Sequence, residues 1–113
     1  MRGADAEDAA LRLLQRHGLR VVCRNFRCKA GELDLVMLDG DTLVVVEVRA
    51  RGHRGFASAA ESVDGRKQMR IVVATQLFLA RHPAHAERAL RFDVVAFDGG
   101  AAPQWIKAAF DVA

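Results

Sequence analysis

At 113 residues with a formal net charge of +3, the chain has room for one domain, residues 1–113, and one modest core. That excludes a multidomain enzyme, a receptor or an enclosed cofactor site. Half of the residues are apolar, but 20 of them are alanine, so the core falls to 32 Leu, Ile, Val and Phe side chains. The apolar runs are short, the longest being Ile71 to Ala80 with Thr75 and Gln76 inside it. None spans a bilayer or reads as a signal peptide, so the expected location is the cytoplasm, without a membrane partner.

Asp5 to His17 repeats Ala6, Ala10, Leu13 and Leu14 at helical spacing, with Asp5, Glu7 and Asp8 at the positive end of the helix dipole, and Gly18 stops it. Leu19 to Phe26, rich in Val and Leu, extends as a strand. From Arg12 to Lys29 the basic residues Arg12, Arg16, Arg20, Arg24, Arg27 and Lys29 occur without one acid, a local excess that suits a phosphate backbone or a solvated face. Cys23 and Cys28 lack the further Cys or His of a structural zinc site and read as ordinary thiols. Glu32 to Leu38 and Thr42 to Val48, separated by Asp39, Gly40 and Asp41, read as a hairpin.

Arg51 to Phe56 is a basic, glycine-containing loop. A long helix is expected from about Ser62 to Arg81, on the spacing of Val63, Ile71, Ala74, Leu77 and Phe78, closed by His82, Pro83 and Ala84. Arg91 to Phe97 resumes the extended pattern, and the tail from Gln104 to Ala113 is apolar enough to dock onto the domain. Helix, three strands, helix, strand predicts an α/β fold with a small mixed β-sheet flanked by helices. The long helix is long enough to return the chain to a parallel fourth strand. The order of the strands is not readable from the sequence.

Carboxylates stand where burial favours hydrocarbon: Asp34 within Leu33, Leu35 and Val36, and Glu47 within Val44 to Val48. Two-residue periodicity puts Asp34 with Val36, and Glu47 with Arg49, on one face of each strand, so that aligned strands bring Asp34, Glu47 and Arg49 to one edge. Glu7, four and seven residues before Leu11 and Leu14, is presented near the same surface. Paired carboxylates suit a hard divalent cation, magnesium or manganese, which offsets their repulsion and neutralises charge developing on a phosphate. A salt bridge of Asp34 and Glu47 with Arg49 or Arg91, and ordinary helix-end electrostatics for Glu7, are the structural alternatives.

Gly31, Glu32, Leu33, Asp34 and Leu35, followed by Val45 to Arg49 and Arg51, closely resemble the signature of the YraN family of small bacterial proteins. Glu7 with Ala10, Asn25 to Arg27, Lys67 and Arg91 to Val94 extend the resemblance over nearly the whole chain. The family is similar to a minimal restriction-endonuclease-like (PD-(D/E)xK) core. By that resemblance Asp34 and Glu47 occupy metal-ligand positions, the Val48 carbonyl supplies a backbone oxygen, and Glu7 matches the acid on the first helix. The departure is Arg49, which stands where the motif has lysine. Arginine stays protonated and is a poor general base, although it can hold a phosphate or stabilise the transition state. Lys67, at the start of the long helix, is one candidate substitute, and a water activated by the metal alone is the other.

Glu32 shares strand parity with Asp34, and with Gln68 and Asp93 it is a candidate for supporting the site from just outside it. Asp93 equally fits pairing with Arg91, Arg88 or Arg27. Arg24, Arg27, Lys29, Arg51, His53 and Arg54 are candidate contacts to nucleic acid. With no tyrosine and one tryptophan, an aromatic platform for single strands is not expected. The leading functional expectation is metal-dependent phosphodiester hydrolysis of DNA, more than RNA, at branched or damaged structures. The alternatives are a nucleic-acid-binding module without catalysis, or an interaction protein with a decayed site, joined to a protein partner or a second copy.

Overall fold

The computed structural model describes residues 3–51, 62–99 and 102–111. Helix α1 (Gly3–Arg16) is followed by strands β1 (Arg20–Cys28), β2 (Gly31–Asp39) and β3 (Thr42–Arg51), then helix α2 (Gly65–Arg81), β4 (Leu90–Asp98) and β5 (Gln104–Phe110). The strands form one five-stranded sheet in the order β1-β2-β3-β4-β5, so neighbours in sequence are neighbours in space. Only β3 and β4 are parallel, which is the pairing α2 allows by carrying the chain back to the starting end of the sheet. The expected mixed α/β sheet is therefore observed, with β5 added where the tail was expected only to dock.

The helices cover opposite sheet faces. Ala6, Ala10 and Leu14 of α1 pack on Leu35, Met37, Val44, Val46, Val95 and Phe97. Ile71, Ala74 and Phe78 of α2 pack on Val36, Leu38, Val45, Phe92, Val94 and Ala96. The central strands are thus apolar on both faces, which is why they read as near-continuous Val and Leu runs. This leaves a buried carboxylate with few places to find a partner.

Local chemistry sets the element ends. Gly18, with φ of 89°, closes α1 while the Leu19 amide reaches back to the Leu14 carbonyl at 3.1 Å. Gly40, with φ of 60°, opens the tight turn between Asp39 and Thr42. α2 starts at Gly65, later than the expected Ser62, because Asp64 has extended backbone and its Oδ1 accepts from the Lys67 amide at 3.0 Å. Cys23 and Cys28 are free thiols, as expected.

Asp93 corrects one expectation. It does not support the other acids: Phe92 and Val94 face α2, so Asp93 faces the α1 side, where it is fully buried. Its oxygens accept from Arg91 Nε and Nη2 at 2.9 and 3.0 Å, from Trp105 Nε1 at 3.0 Å and from the Ala108 amide at 2.9 Å. The last contact holds β5 where its register against β4 shifts and Ala108 adopts φ of 50°. Asp93 is therefore the fastener of the edge strand. Asp93→Ala leaves the Trp105 indole and the Ala108 amide without their acceptor and leaves Arg91, 22% exposed, with Asp39 alone, so a loss of about 2–4 kcal/mol in urea-unfolding stability is expected. A loss below about 1 kcal/mol would contradict this role.

Candidate active site

The site begins where two strands part. The β2–β3 ladder runs from Asp39 and Thr42 to Leu35 and Val46, after which β2 stays with β1 and β3 stays with β4. At the fork Asp34 Oδ2 accepts from the Val48 amide at 2.8 Å, so a side chain takes a donor that a continued ladder would have given to a carbonyl. Regular alternation also breaks here. Leu33 and Val36 both enter the α2-side core although they are three residues apart, while Leu35 enters the α1-side core. The expected simple parity of Glu32, Asp34 and Val36 is thus replaced by a twist that turns Asp34 into the gap.

Four carboxylates gather around that gap. Oxygens of Glu7, Glu32 and Asp34 lie within 4.8 Å of one another. Glu47, on β3, is 3% exposed, and its carboxyl is in hydrogen-bond contact with Asp34. Lys67 Nζ reaches Glu47 Oε1 at 3.1 Å from the first turn of α2, where Asp64 fixes the helix start. The helix, the hairpin and the crossover helix each supply part of the group.

Burial, then the charge of Glu47, pushes the Asp34 carboxyl up to about 7, against the opposing pull of the Val48 amide. Glu47 is also raised by burial, with Lys67 pulling it back. Glu7 is raised by burial and by the charges of Asp34 and Glu32, while Asn25 and Arg24 lower it. Burial is the first cause at all three acids, and repulsion by neighbouring carboxylates adds to it at Asp34 and Glu7.

The other expected residues separate into those near the acids and those engaged elsewhere. Arg49 Nε donates to Ser62 Oγ at 2.8 Å, and its charge still favours ionised Glu47. Gln68 is turned away from the supporting role expected of it, donating to the Val63 carbonyl at 3.1 Å. Arg24 is bound to Asp8 at 2.7 Å, which neutralises it as a free phosphate contact, whereas Arg27 is 3.7 Å from Glu32 and largely exposed. Lys29 is exposed. The backbone of Arg51 ends β3; its side chain, His53, Arg54 and Phe56 lie outside the described residues.

One contributor went unread in the sequence. Asn25 sits in β1 opposite the fork with φ of 54°, and its amide nitrogen, oriented by the network, donates to Glu7 Oε1 and Glu32 Oε1 at 2.8 Å each. The available signal was an asparagine, a residue tolerant of left-handed backbone, inside an otherwise extended run.

A five-stranded mixed sheet between two helices, with buried acids at a strand fork, defines a small α/β protein with an acidic centre. Comparison with known sequences gives the family: residues 6–97 match the Uncharacterised protein family UPF0102, and the chain belongs to it, in agreement with the YraN signature. It is 58% identical to a UPF0102 protein of Pseudomonas syringae pv. syringae, over 96% of this chain and 92% of the relative. UPF0102 proteins of Pseudomonas entomophila and Pseudomonas fluorescens are 55% and 51% identical with the same coverage.

The raised Asp34 sets the sign of a pH effect. The folded chain holds this proton up to about pH 7 and the unfolded chain releases it near 3.8, so the group's contribution to stability is complete below that value and is lost as pH rises towards 7. Asp34→Asn keeps an acceptor for Val48 and no longer ionises. In EDTA its melting temperature relative to wild type is expected to climb by several degrees between pH 4 and pH 8. A difference that stays constant or falls across that range would contradict the assignment.

Proposed function

We propose that this acidic centre hydrolyses phosphodiester bonds in nucleic acid, DNA before RNA, with magnesium or manganese as its metal. The observation that carries the reading is the junction of Asp34, Glu47 and Lys67 at the strand fork. The restriction-endonuclease-like motif that the chain resembles combines an acid, a second acid and a lysine, and here the amine beside the acids comes from α2 instead of from position 49. The donor set suits the metal. Oxygens sharing one magnesium lie at most about 4.2 Å apart, twice its bond length, so Glu7, Glu32 and Asp34 need only a small contraction. Glu47 joins through its contact with Asp34.

A divalent ion held by Asp34, Glu47, Glu7 and Glu32, with the Val48 carbonyl as a further oxygen, supplies charge that offsets both carboxylate repulsion and the charge developing on phosphate oxygens. The chain's own groups do the rest. Hydrolysis adds a water oxygen to phosphorus, breaks the ester bond and protonates the leaving oxygen. Lys67 is the group placed to hold or move that proton, because its Nζ lies 3.1 Å from Glu47 and amines titrate where guanidinium groups do not. Arg49 keeps its charge and serves as a phosphate contact, tethered by Ser62. Among the described residues no helix is long and apolar enough to cross a membrane.

A binding module without turnover is the second reading, favoured by the fixed charge of Arg49. The two separate in one experiment: single-stranded, duplex, nicked, flap and four-way DNA are incubated with the purified protein in magnesium or manganese. Cleavage by wild type is expected, reduced by about a hundredfold or more in Glu47→Gln, Asp34→Asn and Lys67→Met, with the fold verified by circular dichroism. Equal residual cleavage by those variants removes the assignment, and binding without cleavage in either metal selects the second reading. Manganese is also expected to raise the melting temperature of wild type and to leave Asp34→Asn unchanged.

A further inference from the structure

We infer that the flank of α2 leaning over edge strand β1 is a polynucleotide-binding rim, on which Arg66, Arg70 and Arg81, with Arg27 and Lys29 near the β1–β2 turn, hold the phosphate backbone. This inference takes from the proposed function only the class of ligand, and it depends neither on a metal nor on turnover.

α2 contains no acid between Gly65 and Arg81. Helical spacing sorts its cations. Lys67 shares the buried side with Ile71, Ala74 and Phe78 and is committed to Glu47. At 100° per residue, Arg66, Arg70 and Arg81 fall together to one side of that line, with Val73 and Leu77 between them. Contacts identify this as the β1 side: the Arg70 Cβ lies 3.9 Å from the position a β-carbon on Gly31 would take, and the Arg81 guanidinium lies 5.5 Å from the centre of the Phe26 ring. Arg27 pairs loosely with Glu32, the residue after Gly31. The cations of strand and helix therefore border the acid cluster directly.

Charge neutralisation elsewhere makes the rim distinctive. Arg24, Arg88 and Arg91 are each held by an aspartate. Among the described residues Arg66, Arg70 and Lys29 are exposed and form no ion pair. Arg12 and Arg16 are also exposed, but they stand on α1, against the other face of the sheet and on a helix that carries Asp5, Glu7 and Asp8. From Arg66 to Arg81 the helix covers about 22 Å at 1.5 Å per residue, the axial rise of roughly six nucleotides of one strand. Val73 and Leu77, each 37% exposed, and Met69, 63% exposed, add apolar surface along the same outer side for sugars.

The test is fluorescence anisotropy with a labelled 20-base-pair DNA duplex, and with an RNA duplex of the same sequence, titrated in EDTA from 50 to 200 mM salt. Wild type is expected to bind at low salt. Arg66→Glu with Arg70→Glu should weaken binding by at least tenfold and flatten the log-affinity against log-salt slope by about 2, whereas Arg12→Glu with Arg16→Glu, an equal change in net charge, should stay within about threefold. The RNA arm identifies the preferred duplex, and tight binding of either supports the rim. Equal losses in both double variants, no loss in the first, no binding by wild type, or binding to phosphatidylglycerol vesicles in place of duplex overturns it. Because no metal is present, the result is separate from hydrolysis: an intact rim with no cleavage would remove the proposed chemistry alone.

Discussion

The hydrogen bond from the Val48 amide to Asp34 is the constraint around which the acidic centre is built. A sheet that splits must satisfy the backbone donors it releases, and burial makes an unsatisfied one expensive. Here a carboxylate does so, which fixes Asp34 in the gap and brings it against Glu47. The alternation reversal at Leu33, Asp34 and Leu35 follows, because the side chain that fills the fork cannot also stand on a sheet face. Asn25, in left-handed backbone on the neighbouring strand, completes the distortion by reaching Glu7 and Glu32.

Such an arrangement stores electrostatic work. Burial raises Asp34, Glu47 and Glu7 together, repulsion by neighbouring carboxylates adds to it at Asp34 and Glu7, and Lys67, Asn25, the Val48 amide and the charges of Arg24 and Arg49 oppose it. These acids keep raised proton affinity because their partners offset burial only in part, whereas Asp93 shows the opposite design. That acid is more deeply buried, yet two contacts to one guanidinium, an indole and an amide satisfy it fully, and it serves only to fasten β5. Burial alone does not set the state of a carboxylate; the identity of its neighbours does.

The two helices divide the charge as well as the core. α1 brings Glu7 to the acids and neutralises Arg24 through Asp8, while α2 brings Lys67 to the acids and leaves its arginines to solvent. Cation and anion surfaces thus meet at the β1–β2 turn. The separation arises from helical spacing: residues 67, 71, 74 and 78 face the sheet, so 66 and 70 turn towards solvent, while Arg81 is exposed because it stands at the end of the helix.

Much of the fold was legible because its signals are local. Gly18 and Gly40 mark a helix end and a turn, the Val and Leu runs mark strands buried on both faces, and the length of α2 requires a parallel return. The acids Asp34, Glu47 and Glu7 stood out because carboxylates are costly among hydrocarbon. What the sequence alone did not contain was the strand order, the edge strand β5, the twist that turns Asp34 into the fork, and the pairing of Lys67 with Glu47 across 20 positions of chain. Those depend on which surfaces meet once both sheet faces are covered. Spacing along a chain sets the face a residue takes on its own element, but distances between elements exist only after packing, and it is packing that made Asp93 a fastener and Asp34 part of an acidic centre.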